Sequence, residues 1–190
     1  MLWAPRDVLV ALRATEEDDE AARQEPILAI VLLAGITAVL LMGGTLVDDP
    51  SVDGLVVCAV TFIAGSMYGA AGYLVLGLGA LIGVRSAGVE TTFRQARHLV
   101  AFSAVPIAAS VVLVAPLVAL GYGVDYFRGA APSSSVAVVL GTGLPFVAWA
   151  AALLVAGLRI TYRLAWLGVV TAIALGAVLV GVIVALPVIL

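Results

Sequence analysis

The chain has 190 residues, 64% hydrophobic and 11% charged, with a net charge of −3. Soluble domains average about 25% charged residues, so a mean hydropathy of +1.23 makes lipid the solvent and excludes a soluble globular fold. All nine basic residues are arginine, without a basic stripe, and the single cysteine, Cys58, rules out an intrachain disulfide.

Residues 1–25 form a polar leader that lacks the apolar core and cleavage site of a signal peptide. Trp3, Val8, Leu9 and Leu12 fall on one face of a short helix begun at Pro5, while Arg6, Asp7 and Arg13 fall elsewhere. Two readings stand: an interfacial helix with the Trp ring at headgroup level, or a solvated leader. The acidic run Thr15-Glu-Glu-Asp-Asp-Glu20 reads as a solvated helix start, where carboxylates complement the helix dipole.

The first span is predicted over 26–47, with Pro26 at the helix start. Asp48-Asp-Pro-Ser-Val-Asp53 reads as a tight turn without the glutamate of an EF-hand. The second span, 55–84, is thirty residues without a charged side chain. At ~1.5 Å per residue it reaches roughly 45 Å against a hydrocarbon core of about 30 Å, so one long helix is expected. Cys58 is expected inside it as a small apolar filler. Gly65, Gly69, Gly72, Gly79 and Gly83 recur at helical spacing along one stripe. Such a stripe lets another helix approach closely, within the chain or from a second copy.

Residues 85–98 read as an interfacial helix running unbroken into a third span over 99–122. Phe93, Ala96 and Val100 share its apolar face, and Glu90 and Arg94 are spaced as an i,i+4 pair. Pro106 and Pro116 remove backbone donors within this span, and Ser103 and Ser110 are placed to serve the freed carbonyls. The fourth span is predicted over 136–158, then a turn through Arg159 to Arg163, then the fifth over 164–190 with nothing expected after it. In the fifth, Gly168, Ala172 and Gly176 form a second close-packing face. The expected organisation is therefore an all-α polytopic membrane bundle of five helices, 26–190, behind a leader of 1–25.

Orientation follows from the arginines. Five spans put Arg6, Arg13, Arg23, Arg85, Arg94, Arg97, Arg159 and Arg163 on one side and Arg128 alone on the other. Arginine excess marks the cytoplasmic face, so a cell-membrane protein with its N-terminus inside and C-terminus outside is expected.

Chemistry is sparse. Between their ends the predicted spans hold no Asp, Glu, Lys, Arg or His, and such residues, costing about 2.5–3.5 kcal/mol at the bilayer centre, mark ion and proton pathways where retained. Thr61, Ser66, Tyr68, Tyr73, Ser103, Ser110, Thr142 and Thr171 are expected to hydrogen-bond between helices. No HExxH, GxSxG, phosphate-binding loop or paired-cysteine motif occurs, and His98 is the only histidine. No enzyme activity, cofactor or metal is expected. Lipids, other membrane proteins or a second copy are the expected partners, met through the glycine stripe and through Trp3, Arg94, Arg97 and His98. The rival is a small permease or channel for a neutral solute.

The layout resembles the Yip family of five-span membrane proteins. The likeness rests on Trp3-Ala-Pro-Arg-Asp-Val8, on Gly72-Tyr73, and on Gly88-Val-Glu-Thr-Thr-Phe93-Arg-Gln-Ala96 leading to Phe102-Ser103-Ala-Val-Pro106. Gly157-Leu-Arg-Ile-Thr-Tyr162 before the last span also fits. The resemblance implies a non-enzymatic role in membrane organisation or trafficking. For eukaryotic relatives it also implies binding to Rab-type small GTPases. The Asp-Leu-x-Gly-Pro motif of that branch is absent here, so no functional residue carries over.

Overall fold

A computed structural model describes residues 18–42, 51–128, 130–132 and 134–189, with side chains described over 26–178 of these. Trp3, Asp48 and Asp49 lie outside them. The described residues are mainly helical and contain no strand: α1 Asp18–Met42, α2 Gly54–Ser86, α3 Phe93–Ser103, α4 Val105–Gly121, a 3₁₀ turn Gly123–Tyr126, α5 Ser134–Thr161 and α6 Trp166–Ile189. Three stretches are long and apolar enough to cross a bilayer, namely α2, α3 with α4, and α5. Their outward side chains are apolar, as at Leu55, Leu120 and Leu144, which suits lipid and not water. The chain is an all-α membrane protein.

Several boundaries differ from expectation. Helix α1 begins at Asp18, so Pro26 is internal and removes the bond to the Ala22 carbonyl. Helix α2 is the single long helix anticipated. Asp53 caps it, its Oδ1 accepting from Leu55 N at 2.7 Å. Cys58 is exposed and not buried, since an apolar thiol is as well solvated by lipid as by protein. The interfacial helix is shorter than predicted, beginning at Phe93, and it does run unbroken across His98 and Leu99 into the predicted third span, which is itself interrupted further on. Residues 87–92 are non-helical and Glu90 precedes the helix, so the i,i+4 geometry with Arg94 does not exist. The break falls at Ala104, two residues before Pro106, whose missing donor leaves the Phe102 carbonyl without its helical bond.

The end of α2 is closed by a Schellman motif. Val89 N donates to Val84 O at 3.3 Å and Gly88 N to Arg85 O at 2.9 Å, with Gly88 at φ +78°. This is the glycine-only position of such a cap, and Val84 and Val89 pack together beneath it. Thr92 and Gln95 then form a reciprocal capping box on α3. Gln95 N donates to Thr92 Oγ1 at 3.2 Å, and Thr92 N to Gln95 Oε1 at 3.3 Å.

The chain divides into two compact units, with boundaries inside α1, α2 and α5 and at the α3–α4 break. In the first unit (1–28, 71–103, 151–190), Val84, Leu99, Leu158, Tyr162, Leu164, Val169 and Ala172 form the main buried cluster. A smaller one joins Ala80, Ala96 and Val100, so the α3 face anticipated at Ala96 and Val100 is the buried one. In the second unit (29–70, 104–150), Leu40, Val57, Val114, Val118, Tyr126 and Val139 are buried together.

Candidate functional site

The glycines of α2 meet different partners along its length. A Cβ at Gly65 would sit 2.6 Å from Ile36 Cα, and one at Gly69 would strike Val31 O and lie 3.2 Å from Gly35 Cα. Gly35 of α1 is the reciprocal small residue, its Cβ position 2.5 Å from Gly69 Cα. In the first unit a Cβ at Gly79 would sit 2.5 Å from Gly176 Cα, and one at Gly83 would strike Ala172 Cα. Gly72 differs: nothing lies within 4 Å, so the predicted stripe is interrupted there. Gly168 faces Ala87 Cβ at 3.3 Å across the connection into α6.

Sequence reasoning missed Gly77. Its Cβ position is 2.6 Å from Arg97 Cβ, and this notch seats α3 on α2. Arg97 then lies between two rings, 5.5 Å from the centroid of Tyr73 and 5.5 Å from that of Phe93. The Arg97 Nε is buried without a hydrogen-bond partner. Helix α2, with 33 residues, is about 50 Å long. Centred on a hydrocarbon core of about 30 Å, it places Gly77 only ~4 Å inside the boundary. Helix α3 begins at Phe93, so Arg94, Arg97 and His98 occupy its first turns, ahead of the apolar residues from Leu99 onward. Helical spacing puts Gly77 off the stripe that carries Gly79, so periodicity within α2 does not single it out.

A polar network holds the loop ahead of α3. Arg85 donates to Thr91 O through Nη2 at 3.0 Å and Nε at 3.3 Å. Thr91 Oγ1 lies 3.3 Å from Gln95 Oε1 and 3.2 Å from Tyr162 Oη. The connection into α3 is thereby tied to that into α6. Burial pushes the Tyr162 phenol above its usual pKa, opposed by the Thr91 bond. A concavity of about 640 Å³ opens beside this network, lined by Arg85, Glu90, Thr91, Thr92 and Gln95.

In the second unit Tyr126 Oη donates to Leu40 O at 2.9 Å. Burial, and then neighbouring Tyr122, raise the pKa of the Tyr126 phenol. Arg128 donates to Val52 O and lies 3.8 Å from Asp125.

The threonine and serine hydroxyls within the helices do not bridge helices as expected, whereas the Tyr73 hydroxyl of α2 does meet Arg97 of α3. Thr37, Thr61, Ser66, Thr142 and Thr171 each donate to the carbonyl four residues back, at 2.8–3.0 Å. Ser103 and Ser110 donate to Val100 O and Ile107 O at 2.7 Å, and not to the carbonyls freed by the prolines. In lipid the nearest acceptor is always the preceding turn of the same helix, so no partner helix is required. Ser103 still serves the break, because Val100 O is among the last carbonyls of α3.

A family model of the Yip1 domain matches residues 2–189, essentially the whole chain. No curated protein and no solved structure matches it.

Proposed function

Since this chain belongs to the Yip1 domain family, we propose that it is a non-enzymatic membrane scaffold of five spans, working through contacts with lipid and with other membrane proteins. One observation carries this reading. The threonine and serine hydroxyls of the spans named above are turned back onto their own backbones, leaving their donors unavailable to a solute in transit. A permease for a neutral solute needs such donors and acceptors along its path.

The contacts between connections support five alternating spans. Arg128 reaches Val52, and both belong to connections assigned outside. Thr91 reaches Tyr162, and both belong to connections assigned to the cytoplasm. The arginine count then puts the N-terminus inside. A Rab-type GTPase has no matching motif to engage, since Asp-Leu-x-Gly-Pro is absent.

Reconstitution in liposomes tests the role. The purified protein should give no flux of water, glycerol or urea above protein-free vesicles, and crosslinking in native membranes should recover a membrane-protein partner. Solute flux without any partner would establish the permease instead. In a Cys58→Ala background, a cysteine at Ala130 should react with an impermeant maleimide from outside and one at Ser86 only after permeabilisation.

A further inference from the structure

We propose that the turn between α5 and α6 binds the phosphate of an anionic glycerophospholipid. A concavity of about 480 Å³ opens there, lined by Ala156, Arg159, Ile160, Arg163 and Leu164. Its lining has two guanidinium groups and no carboxylate, with Leu164 buried as its floor. Paired guanidinium groups match the oxygens of a phosphate in geometry and charge.

Depth identifies the occupant as a lipid. Helix α5 has 28 residues, or about 42 Å. Centred on a hydrocarbon core of about 30 Å, it extends roughly 6 Å beyond each face. Arg159, two residues from its end, therefore stands ~3 Å outside the hydrocarbon, at the level of headgroup phosphates. The guanidinium of Arg159 lies 4.2 Å from the Trp166 ring centroid, an arrangement that pre-orients it. Below, Trp166 and Leu167 are 60% and 79% exposed, an apolar wall for the acyl chains of a lipid whose phosphate sits above. Free phosphate would have no use for that wall.

The second arginine is held at a cost. Arg163 has φ +54°, a left-handed conformation that glycine adopts without strain and arginine does not. Retaining arginine where glycine would relax the turn favours a role for its side chain. This inference deepens the scaffold reading, and it rests on that reading only for the leaflet involved.

The test uses the purified full-length protein in detergent, supplied with equal phosphatidylglycerol and phosphatidylcholine of matched chains, with retained lipid read by native mass spectrometry. Neither flux nor topology enters this readout, so its failure is separable from failure of the scaffold reading. Each arginine near an anionic lipid is worth about a factor of five, so wild type should prefer phosphatidylglycerol by roughly twenty-five-fold. Arg159→Gln with Arg163→Gln should reduce the preference to near parity, and the two lysine replacements should keep most of it. Arg163→Gly should lose about fivefold while its thermal midpoint stays level or rises, which keeps the test informative if the double variant fails to fold. Equal retention of both lipids by wild type, an unchanged preference in Arg163→Gly, or displacement of the lipid by millimolar inorganic phosphate would overturn the proposal.

Discussion

The approach of α2 to α6 gives an asymmetric prediction. A methyl group added at Gly79 would lie 2.5 Å from Gly176 Cα, whereas one added at Gly176 meets only Leu76 Cδ2, at 3.9 Å. Gly79→Ala must therefore push backbone away from backbone. Bringing 2.5 Å to the 3.4 Å of ordinary contact needs about 0.9 Å of separation along that line. A gap of 0.5–1 Å forfeits roughly a quarter to a half of each affected dispersion contact, and no flexible side-chain tip is available to yield. The expected cost is about 1–3 kcal/mol, the range for overpacking a tight interface. Gly176→Ala adds a methyl group in ordinary contact and should cost less than about 0.5 kcal/mol. Equilibrium unfolding in dodecylmaltoside–SDS mixed micelles, followed by tryptophan fluorescence, measures both. Equal effects, or a neutral Gly79→Ala, would refute the claim that backbone contact at Gly79 holds these helices together. Gly72→Ala serves as a further control, because its Cβ meets nothing within 4 Å.

Other residues give independent tests. Gly77→Leu should unseat Arg97 and α3, since its Cβ position is 2.6 Å from Arg97 Cβ. A loss of about 1–3 kcal/mol in the same unfolding assay is expected. Tyr126→Phe removes the donor to Leu40 O inside a buried cluster and should cost about 1–2 kcal/mol, read as a lower thermal midpoint. Tyr162 makes stability depend on alkaline pH. Its folded pKa is raised above the ordinary value near 10.0, so its contribution is complete below pH ~10 and lost as pH rises through the folded pKa. Wild type should lose stability above pH ~10 more steeply than Tyr162→Phe, with the phenolate absorbance rising late. Parallel alkaline profiles would contradict this.

Composition and spacing carried much of the fold. An apolar stretch too long for one membrane thickness, without a charge to interrupt it, becomes one helix whatever it touches, because lipid cannot solvate a bare backbone. The glycines at 65, 69, 79 and 83 were legible for a related reason: only helical periodicity could align them. The capping devices were legible in part. Thr15, at the head of the acidic run that reads as a helix start, lies outside the described residues. The box that the structure describes, Thr92 with Gln95, went unread because the helix was expected to begin at Arg85.

Local chemistry therefore determined which stretches are helical and which solvent they face, since each residue's own preference for lipid or water is enough to set that. Pairing was decided only in three dimensions. Gly72 and Gly77 are equally bare, yet one faces open space and the other seats an arginine between two rings. The difference arises from where α3 lies against α2, which no periodicity within α2 encodes. Thr91 meets Tyr162 across 71 residues for the same reason: such a bond depends on two connections arriving at one end of the helices together, a property of packing and not of either segment alone.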